Sequence, residues 1–280
     1  MKKYIVLLLL LLFMIPLYVL NEAEEKTAKP AKPVLRVGAE CDYVPNSWEE
    51  IEASAYNLPI ANHKGYYADG YDIQIAKLVA GRLDYDIEIV KLAWNDLLPS
   101  LANGDIDAVF SSMLDTDERK KVAAFSEPYE INRVEYGILV DRENPYITAK
   151  TLRDFSGARL IGERGTRLDD VIEQVPGAVH LQPVDTVRGM IDAVLNGEAD
   201  GAVIDHDTGS YYEIMNKSLM LVKFPEDEGF KLGFHGVCAA VRKGNTELLH
   251  RIDIAILKIE RSERQRIMDD VSSRMITNLK

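Results

Sequence analysis

Arg119 closes the run Ser111-Ser112-Met113-Leu114-Asp115-Thr116-Asp117-Glu118-Arg119, and its position is chemically awkward. The run reads as a loop entering a helix, with Thr116 as the N-cap and Asp117 and Glu118 suited to the positive end of the helix dipole. A cation at that end opposes the dipole. A planar guanidinium held there can grip a carboxylate in bidentate fashion; the alternative is a surface salt bridge to a neighbouring acid. Tyr43 and Trp94 each follow a strand-like run, where an aromatic ring either sandwiches an organic side chain or packs in a core. Asp205-His206-Asp207 is the nearest approach to a metal cluster. On a strand its two carboxylates share one face and His206 takes the other, so the three do not converge on one ion. There is no nucleophile turn, phosphate loop, dinucleotide fingerprint or C-x-x-C pair in the sequence. Neither a catalytic group, a metal nor a cofactor is therefore expected.

Something must hold these residues together, and an internal repeat supplies the outline. Asn103-Gly104-Asp105-Ile106-Asp107-Ala108-Val109 returns as Asn196-Gly197-Glu198-Ala199-Asp200-Gly201-Ala202-Val203. Each copy ends a helical apolar run at Asn-Gly, which accepts the left-handed conformation, and then enters a short buried strand. The strands deliver Ser111 and Ser112 in one copy and Asp205 in the other. In open α/β sheets ligands lie beyond the carboxyl ends of strands, so the repeat predicts two similar lobes facing one ligand.

The remaining pattern fits. Strands are predicted over Val34–Ala39, Asp86–Val90, Asp107–Phe110, Val134–Val140, Arg159–Gly162, Gly201–Asp205 and Gly233–Val241. Helices are predicted over Asp72–Leu83, Asn95–Ala102, Thr151–Phe155, Arg167–Gln174, Arg188–Leu195 and Glu247–Met275, with Asp42–Asn62 rich in loops. Alternation of strand and helix predicts mainly parallel sheets flanked by helices.

The formal charge is −12, and residues 1–33 contribute +2, leaving −14 on the remainder. A body this acidic argues against nucleic acid and against an anionic membrane surface. Met1-Lys2-Lys3 followed by the apolar run Tyr4–Leu20 reads as an export signal or N-terminal anchor over residues 1–20. Residues 21–33 suit a flexible spacer. No good small-residue cleavage site lies near Leu20, and no Cys follows to carry a lipid. The body is expected outside the cytoplasmic membrane, periplasmic or at the cell surface, with residues 4–20 as a candidate anchor. Cys41 and Cys238 sit in apolar runs, and buried free thiols are favoured over a disulfide.

Several segments together resemble the periplasmic amino-acid-binding proteins of bacterial ABC importers, the polar-amino-acid class of extracellular solute-binding proteins. They are Leu35-Arg36-Val37-Gly38, Tyr43-Val44-Pro45, Gly70-Tyr71-Asp72-Ile73-Gln74-Ile75-Ala76, Trp94-Asn95-Asp96-Leu97-Leu98-Pro99-Ser100-Leu101, Asp115-Thr116-Asp117-Glu118-Arg119-Lys120-Lys121 and Phe125-Ser126-Glu127-Pro128-Tyr129. The resemblance runs in order from about Val34 to Lys243. It implies a two-lobed clamp with a two-strand hinge: lobe 1 over 34–133, lobe 2 over 134–225, and a return to lobe 1 over 226–280. It implies a free amino acid as ligand, a membrane permease as partner, a monomer, and no enzyme activity.

By the same resemblance Arg119 takes the α-carboxylate and Asp205 the α-ammonium. Backbone around Ser112 and Gly165-Thr166 adds hydrogen bonds, Tyr43 and Trp94 pack on the ligand side chain, and Glu40 faces its tip. Glu40 and Glu163 are then surplus acids, which favours a cationic or neutral polar ligand. The chain departs from the family pattern at Ser112, where Gly is usual, and at Leu114, where a carboxylate-binding Thr is usual. It also departs at Arg167, where a small residue is usual. Ser112 is a candidate to replace the missing hydroxyl. A sensor for a membrane partner and a dehydratase acting on cyclic carboxylates are the alternatives; the second needs a general acid, and none stands out.

Overall fold

The computed structural model describes residues 31–130, 134–225, 227–233 and 236–277. In chain order, β1 (Val34–Ala39), β2 (Asp42–Tyr43), β3 (Ser47–Glu50), β4 (Leu58–Pro59) and β5 (Tyr67–Asp69) precede α1 (Tyr71–Leu83). β6 (Asp86–Lys91), α2 (Trp94–Asn103), β7 (Ala108–Val109) and β8 (Ala123–Pro128) follow. Next come β9 (Tyr136–Asp141), β10 (Arg159–Ile161), α3 (Arg167–Asp170), β11 (Val179–His180), α4 (Val187–Leu195), β12 (Gly201–Asp205), α5 (His206–Met215) and β13 (Leu219–Val222). β14 (Cys238–Arg242), α6 (Thr246–Leu257) and α7 (Arg261–Thr277) end the chain.

Two five-stranded sheets organise these elements, in the orders β6-β1-β7-β14-β8 and β11-β10-β12-β9-β13. In each, three strands run parallel: β1 with β6 and β7, and β10 with β11 and β12. The fourth strand of each order, β14 or β9, pairs antiparallel with both neighbours. Each sheet is thus mixed, with four of its five strands running one way and β14 or β9 reversed. A chain that leaves one sheet and later returns to it brings in strands that are not βαβ crossovers, and those are free to run backwards. Each sheet has its own core, around Leu35, Ile73, Val79, Ile89 and Ile256 in one lobe and Ile138, Phe155, Leu160, Met190 and Val203 in the other.

The repeat has a direct structural meaning. Asp107 accepts hydrogen bonds from the Arg36 backbone N–H at 3.0 Å and from its guanidinium at 3.0 and 2.8 Å. Asp200 holds Arg159 in the same way, at 2.8 Å from the backbone and 3.2 and 2.8 Å from the guanidinium. Arg36 also donates to Asp105 O, and Arg159 to Glu198 O. Each acid of the repeat therefore staples the start of one central strand to its neighbour. Arg159 holds the Asp200 carboxyl below its ordinary range. Gly104 and Gly197 take φ of 85° and 71°, the left-handed turn expected after each helix.

Asp42–Asn62, expected to be loop, contains β2, β3 and β4, which join β5 in a four-stranded antiparallel sheet in the order β2-β3-β5-β4. The strands are too short for their alternation to register in sequence. The segment read as one helix over Arg167–Gln174 breaks into α3 and a 3₁₀ turn, Val171–Gln174. α5 went unrecognised, because His206–Met215 lacks an apolar stripe and buries little besides Thr208 and Gly209. Cys41 and Cys238 are buried free thiols, and burial raises both to about 12. The expected export segment, the expected spacer as far as residue 30, and residues 131–133 lie outside the described residues.

Candidate functional site

The first lobe contributes from the carboxyl ends of β1 and β7 and from the start of α2. Glu40 follows β1 and is buried; its backbone N–H donates to Ser111 Oγ at 3.1 Å. Ser112 adopts φ 48°, a left-handed conformation that suits glycine, and its hydroxyl donates to Asp72 Oδ2 at 2.9 Å. Asp72 also accepts from Tyr129 Oη at 2.8 Å. Burial pushes Asp72 up to about 7, against the pull of those two hydrogen bonds. The Ser112 hydroxyl is thus spent on holding its own strained backbone, so the suggestion that it replaces the hydroxyl missing at Leu114 is corrected. Asp72→Ala is expected to destabilise the fold by about 2–4 kcal/mol in chemical denaturation, since the buried Tyr129 hydroxyl and the half-buried Ser112 hydroxyl lose their acceptor. A loss below about 1 kcal/mol would contradict that account.

Arg119 needs a second correction. Thr116 does not cap an α-helix; Arg119–Lys121 form a three-residue 3₁₀ turn, so no helix dipole acts on the guanidinium. What holds Arg119 is packing and backbone. Its Nη1 donates to Leu114 O at 3.0 Å, its Nη2 to Gly165 O at 3.4 Å, and its Cζ lies 4.9 Å from the centre of the Trp94 ring. Burial lowers its pKa from the usual value. Among the described residues it has no carboxylate partner within ion-pair distance.

The second lobe contributes Glu163, Gly165, Thr166 and Asp205. Gly165 sits at φ 74° in the turn before α3, where Thr166 Oγ1 accepts from Leu168 N at 3.1 Å. Asp205 ends β12 and caps α5, accepting from the N–H groups of Asp207 and Thr208 at 3.0 and 2.9 Å. The strand geometry assumed for Asp205 and Asp207 does not hold, because His206 begins a helix.

Among the described residues, several hydrogen bonds join the lobes across the cleft. Besides the Arg119 bond to Gly165 O, Tyr43 Oη donates to Asp205 Oδ2 at 2.5 Å and Thr208 Oγ1 to Val44 O at 2.6 Å. Trp94 Nε1 donates to Gly165 O at 2.9 Å and Asn95 Nδ2 to Arg164 O at 3.4 Å. Trp94 therefore latches the lobes through its N–H as well as presenting a ring. A Cβ on Gly165 would lie 2.3 Å from Asn95 Oδ1, and φ 74° would strain it further. Gly165→Ala is expected to weaken ligand binding at least about ten-fold in titration calorimetry while leaving a cooperative unfolding transition intact. Unchanged affinity would show that the lobes need not approach this closely.

Two adjoining cavities between the lobes hold the expected side chains. An inner one of about 40 Å³ is lined by Glu40, Trp94, Arg119, Glu163, Thr166 and Arg167 among others. An adjoining one of about 310 Å³ contains Asp205, His206 and Lys223 in its wall. Tyr43, Ser112, Leu114 and Tyr136 border both. Glu40 and Glu163, one from each lobe, bring their carboxyls into hydrogen-bond contact. Burial raises both above the ordinary carboxylate range, and the charge of Glu40 raises Glu163 further. Oε1 of each is buried and makes no hydrogen bond.

All of the expected residues thus meet at one cleft, but not in one cavity: Asp205 lines the larger and Arg119 the smaller. Tyr136 and Leu168 were missed. Each reads in sequence as an ordinary apolar strand or helix position, and only closure of the lobes turns it toward the cleft.

Two α/β lobes joined by polar contacts over a charged cleft define the class of solute-binding clamps. Residues 35–270 match the family of bacterial extracellular solute-binding proteins, family 3, and the chain belongs to it. It is 27% identical to a probable histidine-binding protein of Neisseria gonorrhoeae, covering 86% of this chain and 83% of that one. It is 28% identical to ABC transporter arginine-binding protein 1 of Escherichia coli strain K12, over 68% and 76%. An ancestral arginine-binding protein solved bound to arginine superposes with a TM-score of 0.68 at 26% identity, covering 85% of this chain and 98% of that one. The structure of an ancestral arginine-binding protein bound to glutamine gives 0.69 at 26%, covering 85% and 97%.

Proposed function

We propose that this chain binds a free amino acid outside the cytoplasmic membrane by closing its lobes, and hands it to the permease of an ABC importer. It acts as a monomeric binding protein and not as an enzyme. The carrying observation is the charge layout of the cleft. Arg119 is an unpaired guanidinium suited to a carboxylate, while Glu40 and Glu163 place two carboxyls together with unbonded oxygens between the lobes. Asp205, near the hinge-side cavity, is the acceptor for an α-ammonium.

Closure draws on contacts that exist only when both lobes reach the ligand. Three or four charge-assisted hydrogen bonds at roughly 1.5–3 kcal/mol each, less the cost of ordering, suffice for micromolar binding at about −8 kcal/mol. The surplus acids favour a cationic or neutral polar side chain, and relatives named for histidine and arginine support that preference. Thermal-shift titration with arginine, lysine, histidine, glutamine and glutamate tests it. Arginine, lysine or histidine is expected to raise Tm most and glutamate least, with native mass spectrometry identifying any ligand that co-purifies. Glutamate as the strongest ligand would overturn the side-chain assignment, and no stabilisation by any amino acid would overturn the clamp reading.

A further inference from the structure

We propose that Arg167 is a second carboxylate-binding group, supplied by the second lobe, which closes on the ligand's α-carboxylate opposite Arg119. The inference rests on the amino-acid clamp reading and adds to it the residue that couples the carboxylate to closure. Arg167 lines the inner cavity beside Arg119, Thr166 and Leu168. It also lines an outer groove of about 520 Å³, together with Arg119, Trp94 and Gly165. Two guanidiniums from opposite lobes therefore form one wall between the groove and the inner cavity. Like charges brought together under partial burial repel unless an anion lies between them.

The bonding of Arg167 leaves a place for that anion. Its Nε is buried and makes no hydrogen bond. Its Nη1 lies 3.6 Å from Asp170 Oδ2, a long contact to a carboxylate whose side chain is 59% exposed. A buried N–H without an acceptor is destabilising, and a carboxylate oxygen in the cavity would supply the missing acceptor. The backbone holds this arrangement in place. Thr166 caps the turn, Leu168 is buried in the second-lobe core, and Arg167 between them is left facing the cleft. On the first lobe Leu114 offers no hydroxyl at this end, so a donor from across the cleft fills a gap in the carboxylate site. The carboxylate becomes the ligand group touched by cations of both lobes. Ligands with that group blocked or absent are then poorly able to drive closure.

Calorimetric titration of the full chain with L-arginine and L-argininamide, which differ only at the carboxyl, tests this; L-histidine and L-histidinamide serve as a second pair. The wild type is expected to prefer the free acid by about a hundred-fold or more, the effect of two charge-assisted contacts. In Arg167→Ser the affinity for the acid should fall about ten-fold or more while the amide is unaffected or improves, so the ratio collapses by about ten-fold. Arg167→Lys should keep part of the preference. Arg167→Gln retains the stem and a neutral donor, and should reproduce the loss if the serine variant fails to fold by circular dichroism. An acid-to-amide ratio that stays unchanged in Arg167→Ser or Arg167→Gln overturns the proposal while leaving the clamp reading intact. Binding of no free amino acid by the wild type overturns both.

Discussion

Arg119→Ala is expected to weaken binding of the amino acid by about 2–5 kcal/mol, the usual cost of removing one partner of a buried hydrogen-bonded charge pair. The reason lies in where the cost falls. Arg119 is anchored to two backbone oxygens and to the Trp94 ring, so its desolvation is already met within the protein. A carboxylate closed into the cleft without it would face Leu114, which has no donor in its side chain. Arg119→Lys should recover little, because a single ammonium on a flexible stem cannot reproduce the planar fork or the stacking on Trp94. Calorimetry at fixed ionic strength measures this directly. An affinity within about two-fold of wild type would remove Arg119 from the site, whatever the variant did to stability.

Glu163→Gln is expected to act in two opposite directions. Glu40 and Glu163 both have carboxyl pKa values raised from an ordinary 4.5 by burial; Glu40 raises Glu163 further, while the contact with Glu163 pulls Glu40 down. Lys91 pulls Glu40 down, while Asp42 raises both and Asp185 raises Glu163. The closed fold therefore holds more protons than the unfolded chain above about pH 4.5. Stability should fall as pH rises from there through neutrality, because the unfolded state binds fewer protons. Glu163→Gln removes a carboxyl that must take up a proton on folding, so its Tm at pH 8 should exceed that of wild type and its pH slope should flatten.

For ligand binding the sign reverses. A cationic side chain replaces the shared proton, so wild-type affinity for arginine should rise with pH and binding should release protons, detectable as a dependence of the calorimetric heat on buffer ionisation enthalpy. Glu163→Gln should lose about 10- to 100-fold in arginine affinity, the range of a charge-assisted hydrogen bond, and leave glutamine little changed. Equal losses for arginine and glutamine would falsify the carboxyl pair as the reader of side-chain charge.

Much of this was legible from residues in a row. Strand β1 and strand β12 fall where the apolar runs place them, because a continuous β-branched run bounded by turns has few alternatives. The Asn-Gly repeat identified two similar lobes, and its acids proved to be staples for Arg36 and Arg159. Sequence spacing alone could not separate those roles, since an acid beside a strand looks the same whether it meets an arginine of its own lobe or a ligand. The helix assigned after Thr116 and the free hydroxyl assigned to Ser112 failed for a common reason. Local propensity describes what a segment prefers alone, while Arg119 and Ser112 are held by Trp94 and Asp72, residues far away in the chain.

The sequence by itself determined the two-lobed α/β architecture and the polar residues at the strand ends, because periodicity and turn chemistry act within short windows. Only the tertiary structure decided which of those residues face one another. The contacts of Glu40 with Glu163 and of Tyr43 with Asp205 join opposite lobes, and Arg119 and Arg167 line one cavity from opposite lobes. Burial and like-charge proximity, which set the chemistry of the cleft, exist only once the lobes have closed.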